Sequence, residues 1–534
     1  GEAINYYLSR DGKVARPRLL AGFAYFSRRF LGDWYIERPI IVAPITGLIL
    51  GDVQTGLIVG GTLELIFMGA VDIGGSVPPN YTIGGILGAA FAITSGQDAE
   101  TALVIAIPAA LLGSFFEMFA KTICVFFVTA AERLAEQVNA LGMAWMLHLG
   151  NIVHALAYAV PTFIALAVGV DVVQALSENM PEWLENGLSV AGGILPALGF
   201  ALLLSTLATP IMFPFFFIGF LLAAYTDMGV LGVALLAFLV AIVMKSQSNG
   251  DDVLELEPNG SGDGTILGDM IDQRDIRRIY FRSFAIQSAF SFDRMQAMGF
   301  TWALTPFLKK IYKDDPEGLK DALKRHLVFF NTHPWMPGPI LALTADMEAR
   351  KSRGENIDEQ AIQGIKSGMM GPLAGVGDSM FHGTLRPVIG GIAAALALQE
   401  NVLAPIIFFV TVNVVHVYIR WLGVKKGFEL GERALAMLSS GGFRRVMEGA
   451  TIAGLMAVGA LVGTWLNVTT PLTYEAQDAT VSVQEMLDQI VPKLLPLSLT
   501  MLIFWLIRRG LNTTLVMILM ILGGLVLGGL GILD

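Results

Sequence analysis

Apolar positions run in long unbroken stretches rather than in the short alternations of soluble strands and helices. The runs at 102–130, 152–173, 190–207, 228–244, 403–422, 450–466, 494–507 and 515–533 are read as membrane crossings, because a hydrocarbon core of about 30 Å asks for about 20 apolar helical residues. Two runs, 40–50 and 82–94, are too short to cross and suit re-entrant hairpins. Continuous rather than alternating hydrophobicity argues against a β-barrel. Residues 19–36 are amphipathic and aromatic, with Arg28 and Arg29, and predict an interfacial or shallow element. The Gly-, Ser-, Asn- and Asp-rich stretch between the two halves has no periodicity and reads as a solvated linker. The expected organisation is therefore a membrane domain at 1–245, a linker at 246–273 and a second membrane domain at 274–534. Lys and Arg crowd 274–325, 425–426, 444–445 and 508–509, which places those flanks in the cytoplasm; 467–490 has neither and is placed outside. The charged, helix-patterned segment 346–363 is expected to face solvent.

Polar residues interrupt this pattern at two places. Residues 60–81 carry Glu64, Asp72 and Asn80 between the glycine pairs Gly60-Gly61 and Gly74-Gly75 and the prolines Pro78-Pro79. A carboxylate at membrane depth costs a few kcal/mol or more unless a partner or a wet cavity receives it. Irregular backbone survives there only where protein buries it or where it lines a cavity. The stretch reads as a broken element lining a polar site; the alternative is a packing motif with Glu64 bonded to a neighbouring helix. In the second half Asn331 and His333 sit between aromatics, and Asp378 and His382 follow a run rich in Gly and Pro. Gln287, Arg294 and Gln296 lie upstream. Interrupted segments in both halves point to a transport site. His333 and His382 also fit structural, hydrogen-bonded roles, as do His154 and His416. Arg294 fits an ion pair with a nearby acid, and Glu117 with Lys121 an intrahelical pair. Trp34, Tyr35 and Trp335 suit either stacking on a sugar or anchoring at the interface.

Composition narrows the class. The chain is 54% hydrophobic and 15% charged, against about 25% charged in soluble domains, and it holds 59 glycines, which suit close helix packing. Its mean hydropathy is +0.63. The fold class is an all-α polytopic membrane protein with broken helices. The lone cysteine, Cys124, is expected as a small buried hydrophobe. No metal-binding, phosphate-loop or nucleophile-elbow motif occurs, so no ATPase, metal or cofactor chemistry is expected, and no nucleic-acid partner. Residues 1–20 lack the apolar core of a cleavable signal peptide.

Residues 19–244 resemble the IIC subunit of the mannose-class sugar phosphotransferase system. The resemblance rests on Glu37-Arg38-Pro39, Gln54-Thr55-Gly56, Gly60 to Glu64, Val77-Pro78-Pro79-Asn80 and Ala191-Gly192-Gly193. Residues 274–533 resemble the IID subunit, through Asp275-Ile276-Arg277, Phe292 to Gln296, Phe329 to Pro334, Ile365 to Asp378 and Glu448-Gly449-Ala450. The two subunits are usually separate polypeptides and are joined here. The resemblance implies two related membrane halves with re-entrant hairpins, a sugar site where they meet, elevator-like movement and trimeric assembly in the bacterial inner membrane. It also implies phosphorylation of a hexose or hexosamine by separate cytoplasmic IIA and IIB components. The expected substrate contacts are Glu64, Asp72, Asn80, Gln287, Asn331, His333 and Asp378. An ion-coupled symporter, with Glu64 and Asp378 carrying protons or sodium, and a receptor with a vestigial site remain alternatives.

Overall fold

The computed structural model describes residues 16–70, 78–96, 99–177, 181–226, most positions of 228–240, 271–430, 441–476, 479–511 and 513–534. Asp72 lies outside the described residues. Residues 16–26 are helical and widen into a π-helical turn at Ser27–Leu31. Helices α1 (Pro39–Leu50) and α2 (Val53–Ile66) then form a tight hairpin. Pro39 starts α1 with its fixed φ, and Gly51 turns the chain at φ 96°. Asp52 caps α2 by accepting the amide of Thr55 at 3.0 Å. At 12 and 14 residues, each arm is shorter than the roughly 20 residues a crossing needs. This is the re-entrant geometry expected for 40–50. Helix α3 (Tyr81–Ser95) is the second short apolar element. The long α4 (Ala99–Glu136) and α5 (Ala140–Ser177) follow, each with a segment long and apolar enough to cross. The single crossing expected at 190–207 is instead two helices, α6 (Glu182–Ile194) and α7 (Pro196–Leu207). Pro196 has no amide proton with which to continue α6, so it opens a new helix. Helix α8 is Pro214–Thr226.

The second half begins with three short helices and a fourth behind them: α9 (Gln273–Ser283), α10 (Ala297–Ile311), α11 (Pro316–His326) and α12 (Gly338–Ser352). A capping box of Asp272 and Asp275 opens α9. Helix α13 (Glu359–Gly377) then runs through a second π-helical stretch, Asp378–Leu385, into α14 (Arg386–Leu398). Helices α15 (Leu403–Leu430) and α16 (Gly441–Trp465) follow. The segment expected outside holds a hairpin of β1 (Thr473–Ala476) and β2 (Ala479–Ser482). It continues into α17 (Val483–Ile490), bent 74° from α18 (Leu494–Arg508), and α19 (Thr513–Gly529) closes the fold. Among the described residues four helical segments are long and apolar enough to cross a membrane, and a fifth if the bent pair is one span.

The halves interlock. Helix α8 packs on α16 so closely that a Cβ at Gly219 would stand 2.0 Å from the Met456 carbonyl, and one at Gly459 2.0 Å from that of Phe216. Lipid offers helices no hydrophobic reason to associate, so small residues that let backbones approach do the joining. The core on either side draws Phe200, Phe216 and Phe220 from the first half and Leu455, Met456 and Leu461 from the second.

The segment expected to face solvent at 346–363 is divided. Glu348 is fully buried. It accepts Arg325 Nε at 2.6 Å, Arg325 Nη2 at 3.0 Å and the Tyr312 hydroxyl at 2.8 Å, and His326 Nε2 lies 3.0 Å away. A charged sequence pattern thus conceals a polar core that ties α10, α11 and α12 together. Burial pushes His326 down to about 4, against the upward pull of the Glu348 hydrogen bond. Burial raises Glu348, but the bonds from His326 and Arg325 outweigh it and hold the carboxyl well below its usual range. An unfolded histidine titrates near 6.5. Between about pH 6.5 and 4 the unfolded chain therefore takes up a proton that folded His326 refuses, and below about 4.5 it takes up another that Glu348 refuses. Melting temperature is expected to fall as pH drops from 7 to 4, and His326→Gln should flatten the upper part of that fall. A wild-type slope retained in the variant would contradict this assignment.

Candidate functional site

The π-helical turns of the two halves face one cavity of about 170 Å³. A π turn carries one extra residue and swings side chains out of register; such bulges concentrate at functional sites. The first half contributes Arg28 and Arg29 from its π turn and Lys121 from α4. The second contributes Gln287 from a 3-10 turn at Phe284–Gln287, Asn331 and His333 from irregular backbone, and Asp378 and His382 from its π stretch. Phe290, Thr332, Pro334, Gln296 and Ala374 complete the wall. Irregular and π-helical backbone thus lines a polar cavity, the setting in which broken helices are tolerated in a membrane protein.

The charges of the wall are matched from behind. Glu117, nearly fully buried, faces Lys121 Nζ at 3.0 Å and Arg29 Nη2 at 3.3 Å. It also accepts the hydroxyls of Tyr25 at 2.8 Å and Tyr158 at 2.7 Å. Arg29 reaches across the halves to donate to Gln287 Oε1 at 3.1 Å, and its Nη2 also donates to the Tyr25 hydroxyl. Arg28 lies 3.5 Å from Asp33 and 3.7 Å from Glu37, and donates to the Tyr81 hydroxyl. His382 stands between two carboxylates, Asp378 at 3.4 Å from its own segment and Asp33 at 3.8 Å from the other half. His333 accepts the amide of Trp335 at Nδ1, 3.2 Å, so the neutral ring carries its proton on Nε2. That nitrogen has no hydrogen-bond partner among the described residues. Donor atoms of His333, Asp378 and His382 come within 4.8 Å of one another. A ring whose Nδ1 already accepts and whose Nε2 is protonated offers a hydrogen bond rather than a metal ligand, so the corner suits a ligand oxygen.

Four of the seven expected contact residues, Gln287, Asn331, His333 and Asp378, come together on this cavity. Glu64 and Asn80 are not among its lining residues. Glu64 is fully buried against Arg38, which donates through Nη2 at 2.6 Å and Nε at 2.9 Å. Asn80 caps α3 by accepting the amide of Ile83 at 3.0 Å. Gln296 spends its amide on Thr332, giving to its carbonyl at 2.7 Å and accepting its amide at 3.1 Å. Arg294 pairs with Glu132 at 2.9 Å. Trp335 neither meets the membrane surface nor opens to the cavity; it is buried and stacks on His416 at 4.7 Å. His154 meets the carbonyl of Phe290 at 3.1 Å. Sequence reasoning missed Arg28, Arg29 and Lys121 as wall residues. Their signal was present: adjacent arginines in an aromatic segment, and a Glu–Lys pair deep in an apolar run.

Two family models match the chain: the sorbose-specific IIC component of the phosphotransferase system over residues 18–243, and the mannose/fructose/sorbose family IID component over residues 270–533. The mannose-specific EIID component of Escherichia coli K12 is 40% identical over 248 residues, 45% of this chain and 88% of that protein. The sorbose-specific EIID component of Klebsiella pneumoniae is 42% identical over 248 residues, 45% and 90%. The fructose permease IIC component of Bacillus subtilis is 34% identical over 235 residues, 43% and 87%. Among solved structures, a chain of the mannose transporter ManYZ in complex with microcin E492 is 38% identical over 49% of this chain and 98% of its own, with a TM-score of 0.30. The chain belongs to the mannose/fructose/sorbose family of the sugar phosphotransferase system, and is a multi-pass inner-membrane sugar permease that joins the IIC and IID components in one polypeptide.

Proposed function

We propose that the cavity between the π turns is the sugar site, and that Gln287, Asn331, His333 and Asp378 contact a hexose or hexosamine there. The observation that carries this reading is the convergence of both halves on one cavity lined by charged and polar side chains. A sugar leaving water needs each hydroxyl matched, because an unpaired buried polar group costs about 1–3 kcal/mol. Asp378 accepts, His333 Nε2 donates, and the amides do both. The relatives are named for mannose, fructose and sorbose, which makes those sugars the first to test. The short α1–α2 hairpin, and the π stretch between α13 and α14 that lines the site, support an elevator-like movement of the site across the membrane. The division into a membrane domain at 1–245, a linker and a second membrane domain at 274–534 is part of the same reading. So are assembly as a homotrimer, its surface in contact with lipid, and docking of IIB on the basic cytoplasmic flank near Arg277 and Lys309.

Uptake into membrane vesicles tests the function. Sugar accumulation is expected to need phosphoenolpyruvate, the general phosphotransferase proteins and IIA/IIB, and to survive collapse of the ion gradients. Uptake that follows a proton or sodium gradient without phosphoenolpyruvate would refute it.

A further inference from the structure

Helix α15 presents one apolar stripe to the outside. Val410, Val414, Tyr418 and Trp421 follow one another at intervals of three and four residues, the spacing that keeps side chains on one helix face. With Phe409, and with Trp34 from the first half, they line an open groove of about 540 Å³. From Phe409 to Trp421 the helix rises about 18 Å, close to the roughly 15 Å that one leaflet contributes to a hydrocarbon core of about 30 Å. Helix α9 closes one end. Its Tyr280 meets Trp421 with ring centroids 5.1 Å apart and donates its hydroxyl to the Val417 carbonyl at 3.5 Å. That end is basic. Arg277 stands one turn before Tyr280, and Arg274 one turn before that; with Phe281 they lie on the exposed face of α9. The stripe on α15 continues from Trp421 to the exposed Lys425. Lys425 and Lys426 share a single carboxylate, Glu429, at 3.7 and 2.7 Å. An aromatic ring that is 68% exposed beside arginines suits a basic helix lying in the membrane interface rather than in water.

We propose that this groove is a binding site for an anionic phospholipid. One acyl chain lies along α15 against Trp34, Phe409 and Val414, and the phosphate sits at the basic mouth, held by Arg277 and Lys425. Charge selects the occupant: the trough is apolar, no acid lines it, and cations stand at one end only. A phospholipid with net negative charge matches that polarity, and a zwitterionic one matches it less well. A second apolar groove, on the α1 side of Phe409, has no cation on its lining and carries no such reading. Because IIB docking is proposed on the same basic flank, the test uses the permease without IIB.

Native mass spectrometry of the detergent-purified chain tests it, with phosphatidylglycerol and phosphatidylethanolamine of the same chain length offered in equal amounts. Bound phosphatidylglycerol is expected to exceed phosphatidylethanolamine at least about fivefold. Arg277→Gln with Lys425→Gln should bring that ratio close to one. Lys313→Gln with Lys324→Gln, which removes two exposed cations that do not line the groove, should leave it unchanged. Val414→Trp, which fills the trough, should lower retention of both lipids. Equal binding of the two lipids by the wild type would overturn the site. So would loss of the preference in both double variants alike, which would mean a diffuse surface charge. Wild-type retention of phosphatidylglycerol by Val414→Trp would remove the acyl chain from the groove. A lower oligomeric mass in Val414→Trp at an unchanged lipid ratio would give the groove to a second copy of this chain instead. Arg277, Lys425 and Val414 are all exposed, so these substitutions leave the core intact, and the wild-type preference is read without any variant.

Discussion

Glu64→Ala is expected to abolish folded protein rather than sugar binding alone. Both members of the Glu64–Arg38 pair are fully buried, and the guanidinium reaches the carboxylate through two nitrogens. Arg38 also donates to the carbonyl of Phe67 at 3.1 Å, at the end of α2, and stands over the Tyr81 ring at the start of α3. The pair thus closes the α1–α2 hairpin and joins it to α3. Removing one partner of a buried pair leaves an uncompensated charge and costs about 3–5 kcal/mol. That is a large share of the 5–15 kcal/mol that typical domains hold. Size-exclusion profiles and thermal melts of the detergent-solubilised variant should show loss of the monodisperse peak or a sharply lowered Tm. Arg38→Ala should do the same. The double replacement Arg38→Met with Glu64→Leu should recover much of the loss, because an apolar pair avoids the desolvation cost. A Glu64→Ala protein with wild-type Tm but no sugar binding would return Glu64 to the ligand.

The contrast between Glu64 and Asp378 shows what the sequence could and could not say. Both sit in apolar, glycine-rich surroundings, and both read as carboxylates that need a receiver at membrane depth. The pattern shows the need but not the receiver. For Glu64 the receiver is Arg38, 26 positions earlier on the other side of a hairpin, and nothing local in the sequence pairs the two. For Asp378 it is a cavity and His382 one turn on. The short apolar runs were legible as re-entrant because length alone decides whether a helix crosses. The break at Pro196 follows from proline's missing amide, yet the hydropathy of 190–207 concealed it. Glu348 was misplaced for the reason that hid Arg29 and Lys121: burial of a charge depends on partners from other helices, here Arg325, His326 and Tyr312. Neither π turn is visible in composition, yet these turns bring Arg28, Arg29, Asp378 and His382 to one cavity.

Asp378→Asn is expected to give a folded, membrane-inserted protein that no longer binds or transports its sugar. Asp378 begins the second π stretch, partly open to the cavity, and its carboxylate is the anionic acceptor on the lining. His382 keeps its second carboxylate, Asp33, so the variant strands no buried charge. The amide also keeps the shape and one acceptor oxygen. What is lost is a charged acceptor for sugar hydroxyls. Hydrogen bonds to charged groups contribute about 1.5–3 kcal/mol each, and each 1.4 kcal/mol is tenfold in affinity, so loss of about 100-fold is expected. Calorimetry should show the affinity collapse, vesicle uptake should fall to background, and the melting curve should stay within a few degrees of wild type. Asp378→Glu separates charge from placement: the longer arm reaches past His382 into a cavity of about 170 Å³, so it should restore little. Asp378→Asn protein that binds its sugar normally would remove this carboxylate from the site. A variant that loses binding only because it unfolds would make Asp378 a charge kept for the architecture, the role expected of Glu64.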